Sequence, residues 1–299
     1  MNYVKKHCLF CKDNEEIVEL YPQTFKLKNL TPEVFSARRI TEHFHYKIVR
    51  CQRCGLVFSR NILGDDSLSK LYSQSGVTFD EYVGVIAKDY LRHLKPFISK
   101  INNGVALEIG CSSGFFLEKL LGAGFKEVFG CEPSLAAKAK ANSDIKGNIY
   151  SGFFDRGIYQ NKYFDLICSF QTLDHLSDPV ETVKICRDLL KPGGIVYFIT
   201  HNVKGLQAMV LGEKSPIIDV EHTYLFNKDT LKRLCENAGL KVLQVGNIKN
   251  SYPLDYWMRM LLKNKIGSII RSFCKKIGIG SISFPIAAGN IFVVARRND

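Results

Sequence analysis

The sequence predicts an α/β fold: a parallel sheet with helices on both faces, preceded by a small cysteine-bearing module. Two observations predict it. From Val105 onward, short apolar runs of strand length alternate with segments of three-to-four periodicity, the pattern of βαβ units. Ahead of them, residues 1 to about 60 are rich in Cys, His, Arg and aromatics and show no long periodic segment. The boundaries that follow are 1–62 for the module and 63–299 for the sheet domain, with insertions at 203–222 and 252–285 where the alternation breaks.

The elements can be justified in order. Helical spacing dominates from Ser67 to Lys100, first in SLSKLYSQ and then in IAKDYLRHLKPFISK. VALEIG (105–110) reads as a strand and FFLEKLLGAG as a helix closed by glycine. EVFGCE (127–132) is a strand and SLAAKAKANS a helix, and NIYSGFF (148–154) and YFDLICSF (163–170) are strands. DPVETVKICRDLL (178–190) is a helix with Pro179 in its first turn, and KPGG leads into the strand IVYFIT (195–200). KDTLKRLCENAGL, KVLQVGNI and NIFVVARR complete the series as helix, strand and strand.

Composition bounds the function. At 299 residues with 46% apolar and 23% charged residues, the chain can bury a full core. The basic start meets charge at once instead of an apolar core, and no run reaches the roughly 18 apolar residues of a membrane span. A soluble, cytoplasmic protein is the expectation, so ten cysteines point to thiols or metal rather than disulfides. Cys111, Cys131, Cys168, Cys186, Cys235 and Cys274 lie singly among apolar neighbours and read as core. The net charge is +12, and residues 241–299 hold ten Lys/Arg against two Asp. That excess favours an anionic partner: nucleic acid, an acidic membrane surface or a phosphate-bearing substrate.

Cys8-Leu-Phe-Cys11 and Cys51-Gln-Arg-Cys54-Gly55 are two Cys-x-x-Cys knuckles, and four thiolates make the tetrahedral set of a structural Zn²⁺. Gly55 suits the turn after such a pair. His7, His43 and His45 are substitute ligands. A thioredoxin-like redox pair would follow a strand of a βαβ unit, and none precedes Cys8. A closed four-thiolate site has no open coordination position, which makes its role structural.

The loop after the strand at 105–110 carries Gly110, Ser112 and Gly114. The dinucleotide pattern G-x-G-x-x-G would need glycine in place of Ser112 and Phe115, and no phosphate loop ending in GK[ST] occurs. Glu108, Gly110, Ser112 and Gly114 instead resemble motif I of the class I S-adenosylmethionine-dependent methyltransferases. Glu132 at the end of the next strand, FDLICSFQTLDHLSDP (164–179), LLKPGGIVYFIT (189–200) and EHTYLFNKDTLKRLCENAGL (221–240) follow in the order of that family. The resemblance covers Leu107 to Asn298. It implies a Rossmann-like, seven-stranded methyltransferase sheet that binds S-adenosylmethionine through Glu108, Gly110, Ser112, Gly114, Glu132 and Pro133. It places Gln171 near the methionine or adenine part, Phe154, with Phe153, against adenine, and Asp155 at the adenine amino group. At Ser112 a negative φ would cost nothing, and a positive φ would strain the serine.

A Cys₄ knob ahead of such a domain resembles a group encoded with bacterial polysaccharide and sugar-tailoring enzymes. It also resembles the sugar C-methyltransferases, whose further C-terminal domain this chain is too short to hold. Methyl transfer needs alignment and removal of an acceptor proton. His175, after the fourth strand, reads first as a packing histidine; His201 follows the fifth strand; His222 closes the first insertion and is the favoured base of the latter two. SFQT after the fourth strand is neither the Asn/Asp-Pro-Pro-Tyr of amino-group methylation on bases nor the Pro-Cys of cytosine-C5 enzymes.

Residues 254–279 read as a basic amphipathic helix, packed on its own domain or lying peripherally on an anionic membrane. The expected function is O-methylation of a small-molecule or carbohydrate-type acceptor, nucleotide- or lipid-linked. RNA methylation is the second reading, with nucleic acid ranked lower for want of arginine-rich or aromatic-interleaved stretches. Sugar C-methylation and a non-catalytic zinc-ribbon adaptor complete the set.

Overall fold

Seven strands form the central sheet of the computed structural model, which describes residues 3–12, 16–35, 43–76, 83–159, 163–261, 265–287 and 289–298. In chain order they are β1 (Val105–Ile109), β2 (Glu127–Glu132), β3 (Ile149–Ser151), β4 (Phe164–Phe170), β5 (Leu190–His201), β6 (Leu240–Asn247) and β7 (Asn290–Arg297). Their spatial order is β6-β7-β5-β4-β1-β2-β3. β1 to β5 run parallel, and β7 is antiparallel to both β5 and β6. The chain winds outward from β1 to β3 and then crosses back to β4. A crevice therefore opens at the carboxyl ends of β1 and β4, where open α/β sheets hold their ligands.

Both faces are covered, which is why the inner strands are apolar runs without alternation. On one face α1 (Val83–Ile98) and α2 (Phe115–Leu121) pack through Ala87, Tyr90, Leu94, Phe116 and Leu120. On the other, α3 (Pro179–Leu189) contributes Val183 and Cys186 to a second core. Two further helices are α4 (Leu206–Leu211) and α5 (Lys228–Asn237), the latter joining that second core through Leu231 and Leu234. Asp178 caps α3 by accepting from the Glu181 N–H at 3.0 Å, and Pro179 occupies a first-turn position that needs no N–H. The six single cysteines are all buried, as core residues should be.

Three local expectations differ in detail. The helix expected after β2 splits into Leu135–Ala139 and Ser143–Lys146, because the Asn142 side chain accepts from the Asp144 N–H and starts a new cap. The KPGG turn is drawn into β5, whose register with β4 breaks between Leu190 and Ile195 around Gly193 at φ 74°. The long basic helix is two, Leu254–Leu261 and α6 (Lys265–Lys276), and residues 262–264 between them lie outside the described ones. Among the described residues no helix is long and apolar enough to cross a membrane.

The N-terminal strands Ile17–Tyr21, Ile48–Cys51 and Val57–Ser59 form an antiparallel sheet, and its fourth strand, Tyr224–Leu225, comes from the sheet domain. Tyr224 pairs with Phe58, and their rings stack at 6.0 Å. Val49, Cys51, Leu56 and Phe58 share one core with Leu107, Phe226 and Leu231. Burying each such large side chain contributes about 1.5–3 kcal/mol, so module and sheet are joined by packing as well as by strand pairing.

Candidate active site and metal centre

β1 ends in a loop of alternating left-handed residues: Gly110 at φ 72°, Ser112 at φ 51° and Gly114 at φ 75°. The two glycines are required by space as well as by φ. A Cβ at Gly110 would lie 2.3 Å from Thr172 Oγ1, and one at Gly114 2.4 Å from Ile145 Cδ1. Ser112 therefore takes the strained alternative, at a cost of about 1–2 kcal/mol against glycine. What holds it is Glu132, whose Oε2 accepts from the Ser112 N–H at 2.9 Å while Oε1 accepts from the Ser134 N–H at 2.8 Å. Burial raises the Glu132 carboxyl above its ordinary value, and the two N–H groups oppose that rise.

Glu108 is 1% exposed, and its Oε2 has no hydrogen-bond partner among the described residues. Burial first, and the nearby Glu132 charge second, push its carboxyl well above the usual range. An orphaned buried carboxyl beside a second acid fits a cationic group. Pro133 follows Glu132 directly and is half-buried.

The remaining residues expected at the cofactor are more scattered. Gln171 is left-handed at φ 51°, with its N–H on Ile199 O at 2.7 Å, and leads into the Thr172 that packs on Gly110. Phe154 is half-buried, its ring centroid 6.4 Å from Tyr159. Phe153 meets Tyr72 edge-on at 6.0 Å. Asp155 is exposed and accepts from the Gly157 N–H at 2.8 Å, a turn within its own segment.

The three histidines come together around one residue that sequence reasoning passed over, Asp174. Its side chain is wholly buried, and Oδ2 accepts from His201 Nδ1 at 2.6 Å. His222 Nε2 lies 3.9 Å from Oδ2, and His175 Nε2 lies 4.0 Å from Oδ1. The His222 ring stands edge-to-face on both other rings, at 4.8 Å from each. Tyr72 Oη meets His175 Nδ1 at 3.2 Å, which adds a phenol that the sequence did not signal. The signal for Asp174 was adjacency: β4 and β5 are parallel neighbours, so their trailing residues share one edge.

Electrostatics divide the cluster. Burial opposes ionisation of Asp174, but His201 above all, then His175 and His222, bring its carboxyl below the ordinary range. Burial lowers His175 and takes His222 well below the usual imidazole value, so both are neutral at physiological pH. Asp174 Oδ1 and His222 Nδ1 are buried with no hydrogen-bond partner among the described residues. Asp174, His175 and His222 also bring three ligand atoms within 4.8 Å of one another. With Asp174 committed to His201 and His175 to Tyr72, a hydrogen-bonded relay is the simpler chemistry. The His175 N–H bonds Thr172 O at 3.0 Å, so the relay begins one turn from the glycine loop. Beside it, Asn202, Lys204, Asn227, Lys228, Asp229 and Asn247 line a polar cavity of about 280 Å³.

The N-terminal module clamps this cluster from behind. The buried Ser59 donates its N–H to Thr223 O at 2.9 Å and its Oγ–H to His222 O at 3.1 Å. Thr223 and Tyr224 in turn donate their N–H groups to Asp174 O at 2.7 and 3.1 Å.

Cys8, Cys11, Cys51 and Cys54 converge with their sulfurs within 4.8 Å, and Cys8 and Cys54 are 3.2 Å apart. All four are free thiols. Cys51 to Cys54 make the turn between two strands of the module, closed by the Gly55 N–H on Cys51 O at 2.8 Å with Gly55 at φ 74°. Lys12 repeats that turn at the first knuckle, its N–H on Cys8 O at 3.1 Å. His45 is engaged elsewhere, with Tyr46 O and Glu213. Burial raises Cys8 and Cys11; at Cys51 burial is outweighed by hydrogen bonds from Cys54 and Arg53, which bring the thiol below its usual value. Four soft donors from two turns fit Zn²⁺ at about 2.3 Å per Zn–S bond.

Residues 82–245, more than half of the sequence, match a family described as a methyltransferase domain. The chain belongs to that family. It is a SAM-dependent methyltransferase domain carrying an N-terminal Cys₄ cluster. It is 30% identical over 165 residues to a tRNA U34 carboxymethyltransferase of Campylobacter fetus, over 53% of this chain and 58% of that protein. Over 125 residues it is 31% identical to a protein of the same name from Shewanella pealeana, over 40% of this chain and 38% of that one. The chain thus spans only about two-fifths to three-fifths of the length of these curated relatives. Phosphoethanolamine N-methyltransferase 2 of Haemonchus contortus, solved with S-adenosyl-L-methionine, aligns at a TM-score of 0.46 with 16% identity, over 71% of this chain and 53% of that one.

Proposed function

We propose that this methyltransferase domain methylates a hydroxyl of a phosphate-bearing acceptor, with His201 as the base and Asp174 as its positioning partner. The 2.6 Å contact between His201 Nδ1 and Asp174 carries the reading. With Nδ1 donating to a carboxylate, Nε2 is left as the proton acceptor, the logic of His–Asp pairs. His201 keeps 21% of its side chain exposed against 9% for His222, which makes His201 the one that can reach an acceptor. His222, the base the sequence favoured, serves better as the packed partner that keeps the other two rings in place.

Gly110, Ser112, Gly114, Glu132 and Pro133 would hold S-adenosylmethionine, with Glu108 facing its positive charge. The cofactor supplies an electrophilic methyl group on a sulfonium. Glu132 orders the loop through Ser112, Asp174 holds the imidazole, and His201 Nε2 takes the hydroxyl proton as the acceptor oxygen gains the methyl. The four cysteines would hold a structural Zn²⁺.

Two acceptor classes fit the polar cavity with Lys204 and Lys228. RNA is supported by the Campylobacter and Shewanella relatives, both named tRNA U34 carboxymethyltransferases, and by the net charge of +12. A nucleotide- or lipid-linked sugar is supported by the seclusion of the cluster, in which Asp174 is 0% exposed and no histidine side chain exceeds 23%. Transfer of label from methyl-labelled SAM to total tRNA, compared with nucleotide-linked sugars, separates them. Labelled tRNA, with activity falling steeply as salt rises, selects RNA. Calorimetry with SAM tests the donor site: no binding, or unchanged binding in Glu132→Ala, would discard the assignment.

A further inference from the structure

Among the described residues, the exposed large apolar side chains are concentrated rather than scattered. Of seventeen, eleven fall within 206–211 and 270–286. Leu206 and Val210 are each 73% exposed, Met209 65% and Phe273 61%, with Ile282 and Phe284 at 47%. No residue of α4 is buried, although four of its six side chains are large and apolar. A single exposed leucine needs no explanation, but a contiguous set does. The chain ends of the two segments adjoin: the Asn202 N–H bonds Gly289 O at 2.8 Å, and a Cβ on Gly205, the residue before α4, would lie 3.1 Å from Gly289 Cα, three residues past Ile286. The start of α4 is therefore seated against the turn that follows strand Ser283–Ile286.

Charge selects the occupant. Residues 265–287 contain Lys265, Arg271, Lys275 and Lys276 and no acid. Exposed Lys204 and Lys214 bracket α4, and the one acid there, Glu213, faces His45 at 3.2 Å. Apolar side chains set in segments that carry cations and almost no acid match an anionic bilayer, where the former enter the acyl boundary and the latter meet headgroups. We propose that α4 and residues 270–286 form one face that docks on an anionic membrane surface. This extends the contact expected at 254–279: Ile270, Phe273, Ile277 and Ile279 are exposed within it, and Ile282, Phe284 and Ile286 and the other insertion add to the face. Because α4 starts five residues after His201, docking would turn the edge bearing the polar cavity toward the bilayer. The proposal is independent of the acceptor assignment.

The test is co-sedimentation of the full chain with phosphatidylcholine vesicles, with and without phosphatidylglycerol. Binding is expected only with the anionic lipid and should weaken with added salt. Leu206→Glu/Val210→Glu and Phe284→Glu should each reduce partition about tenfold or more, with SAM affinity and melting temperature unchanged. Lys214→Glu/Lys276→Glu provides a second route if the apolar variants fold poorly, and should act in the same direction. Failure of the wild-type chain to sediment with anionic vesicles, or wild-type partition in all variants, would overturn the proposal. So would a dimer in sedimentation velocity that these variants dissolve, which would give the face to a second copy, or tRNA binding that they weaken equally.

Discussion

Glu108→Gln removes the charge of a buried carboxyl while keeping its shape. Glu108 is 1% exposed, Oε2 has no partner among the described residues, and the carboxyl is held well above its usual range. The folded state thus keeps this proton more tightly than the unfolded chain, whose glutamates titrate near about 4.3. A raised carboxyl contributes stability fully below that value, and the contribution is lost as pH rises through the folded value. Leaving a buried polar group unsatisfied costs about 1–3 kcal/mol, more if it is charged. At roughly 2–4 °C per kcal/mol, the glutamine variant should melt about 2–10 °C higher than wild type at about pH 8 without cofactor, and the gap should narrow toward about pH 5. Thermal melts across that range measure it. S-adenosylmethionine should raise the wild-type melting temperature more than that of the variant, because its cation meets the carboxylate only in the former. A variant that melts at or below wild type at alkaline pH, or a gap that does not change with pH, would refute the account of Glu108.

Asp174→Asn should lower kcat by about 10²–10⁴ while leaving SAM affinity unchanged, because His201 loses the partner that fixes its tautomer; undiminished turnover would remove the relay. The lowered pKa values of His175 and His222 mean that the unfolded chain binds more protons below about 6.5, so their contribution to stability is lost as pH falls through that value. Asp174, also lowered, loses its own contribution further down, below about 3.9, and denaturant titrations at successive pH values should show both steps. Ser112→Gly relieves about 1–2 kcal/mol of left-handed strain against about 0.5–1 kcal/mol of added chain entropy. Calorimetry should therefore find SAM affinity equal or higher, and a large loss would show that the hydroxyl is needed. Chelation should release one equivalent of zinc and impair methyl transfer more than SAM binding, since Ser59, on the strand that follows the Cys51–Cys54 turn, bonds the His222 carbonyl while Glu132 belongs to the central sheet; equal loss of both would mean that the module supports the whole fold.

The strands were legible because each is a short apolar run bounded by a turn residue, and the cysteine quartet because its two spacings match. Gly110 and Gly114 could be placed in a ligand loop from sequence, but Ser112 could not be given a backbone angle until Glu132 was seen to hold its N–H. Asp174 escaped notice because its role depends on His201 and His222, twenty-seven and forty-eight positions away, and only strand order brings them together. Tyr224–Leu225 is two residues long, too short for any periodicity to announce a strand. The exposed face of α4 was equally hidden, since an apolar hexamer in sequence reads as a buried one.

The borrowed strand has a consequence for synthesis. The sheet built within Cys8 to Ser59 has an open edge until Tyr224 and Leu225 arrive, more than 160 residues later. All four thiols are thus in place before the sheet above them is complete, and the nascent chain carries an unpaired edge until then. Closing that edge also delivers the Thr223 and Tyr224 N–H groups to Asp174 and the His222 carbonyl to Ser59. In this molecule the pairing of that strand and the fastening of the proton relay are one event, so a chain truncated before residue 224 would lack the Tyr224 N–H on Asp174 and present an open edge.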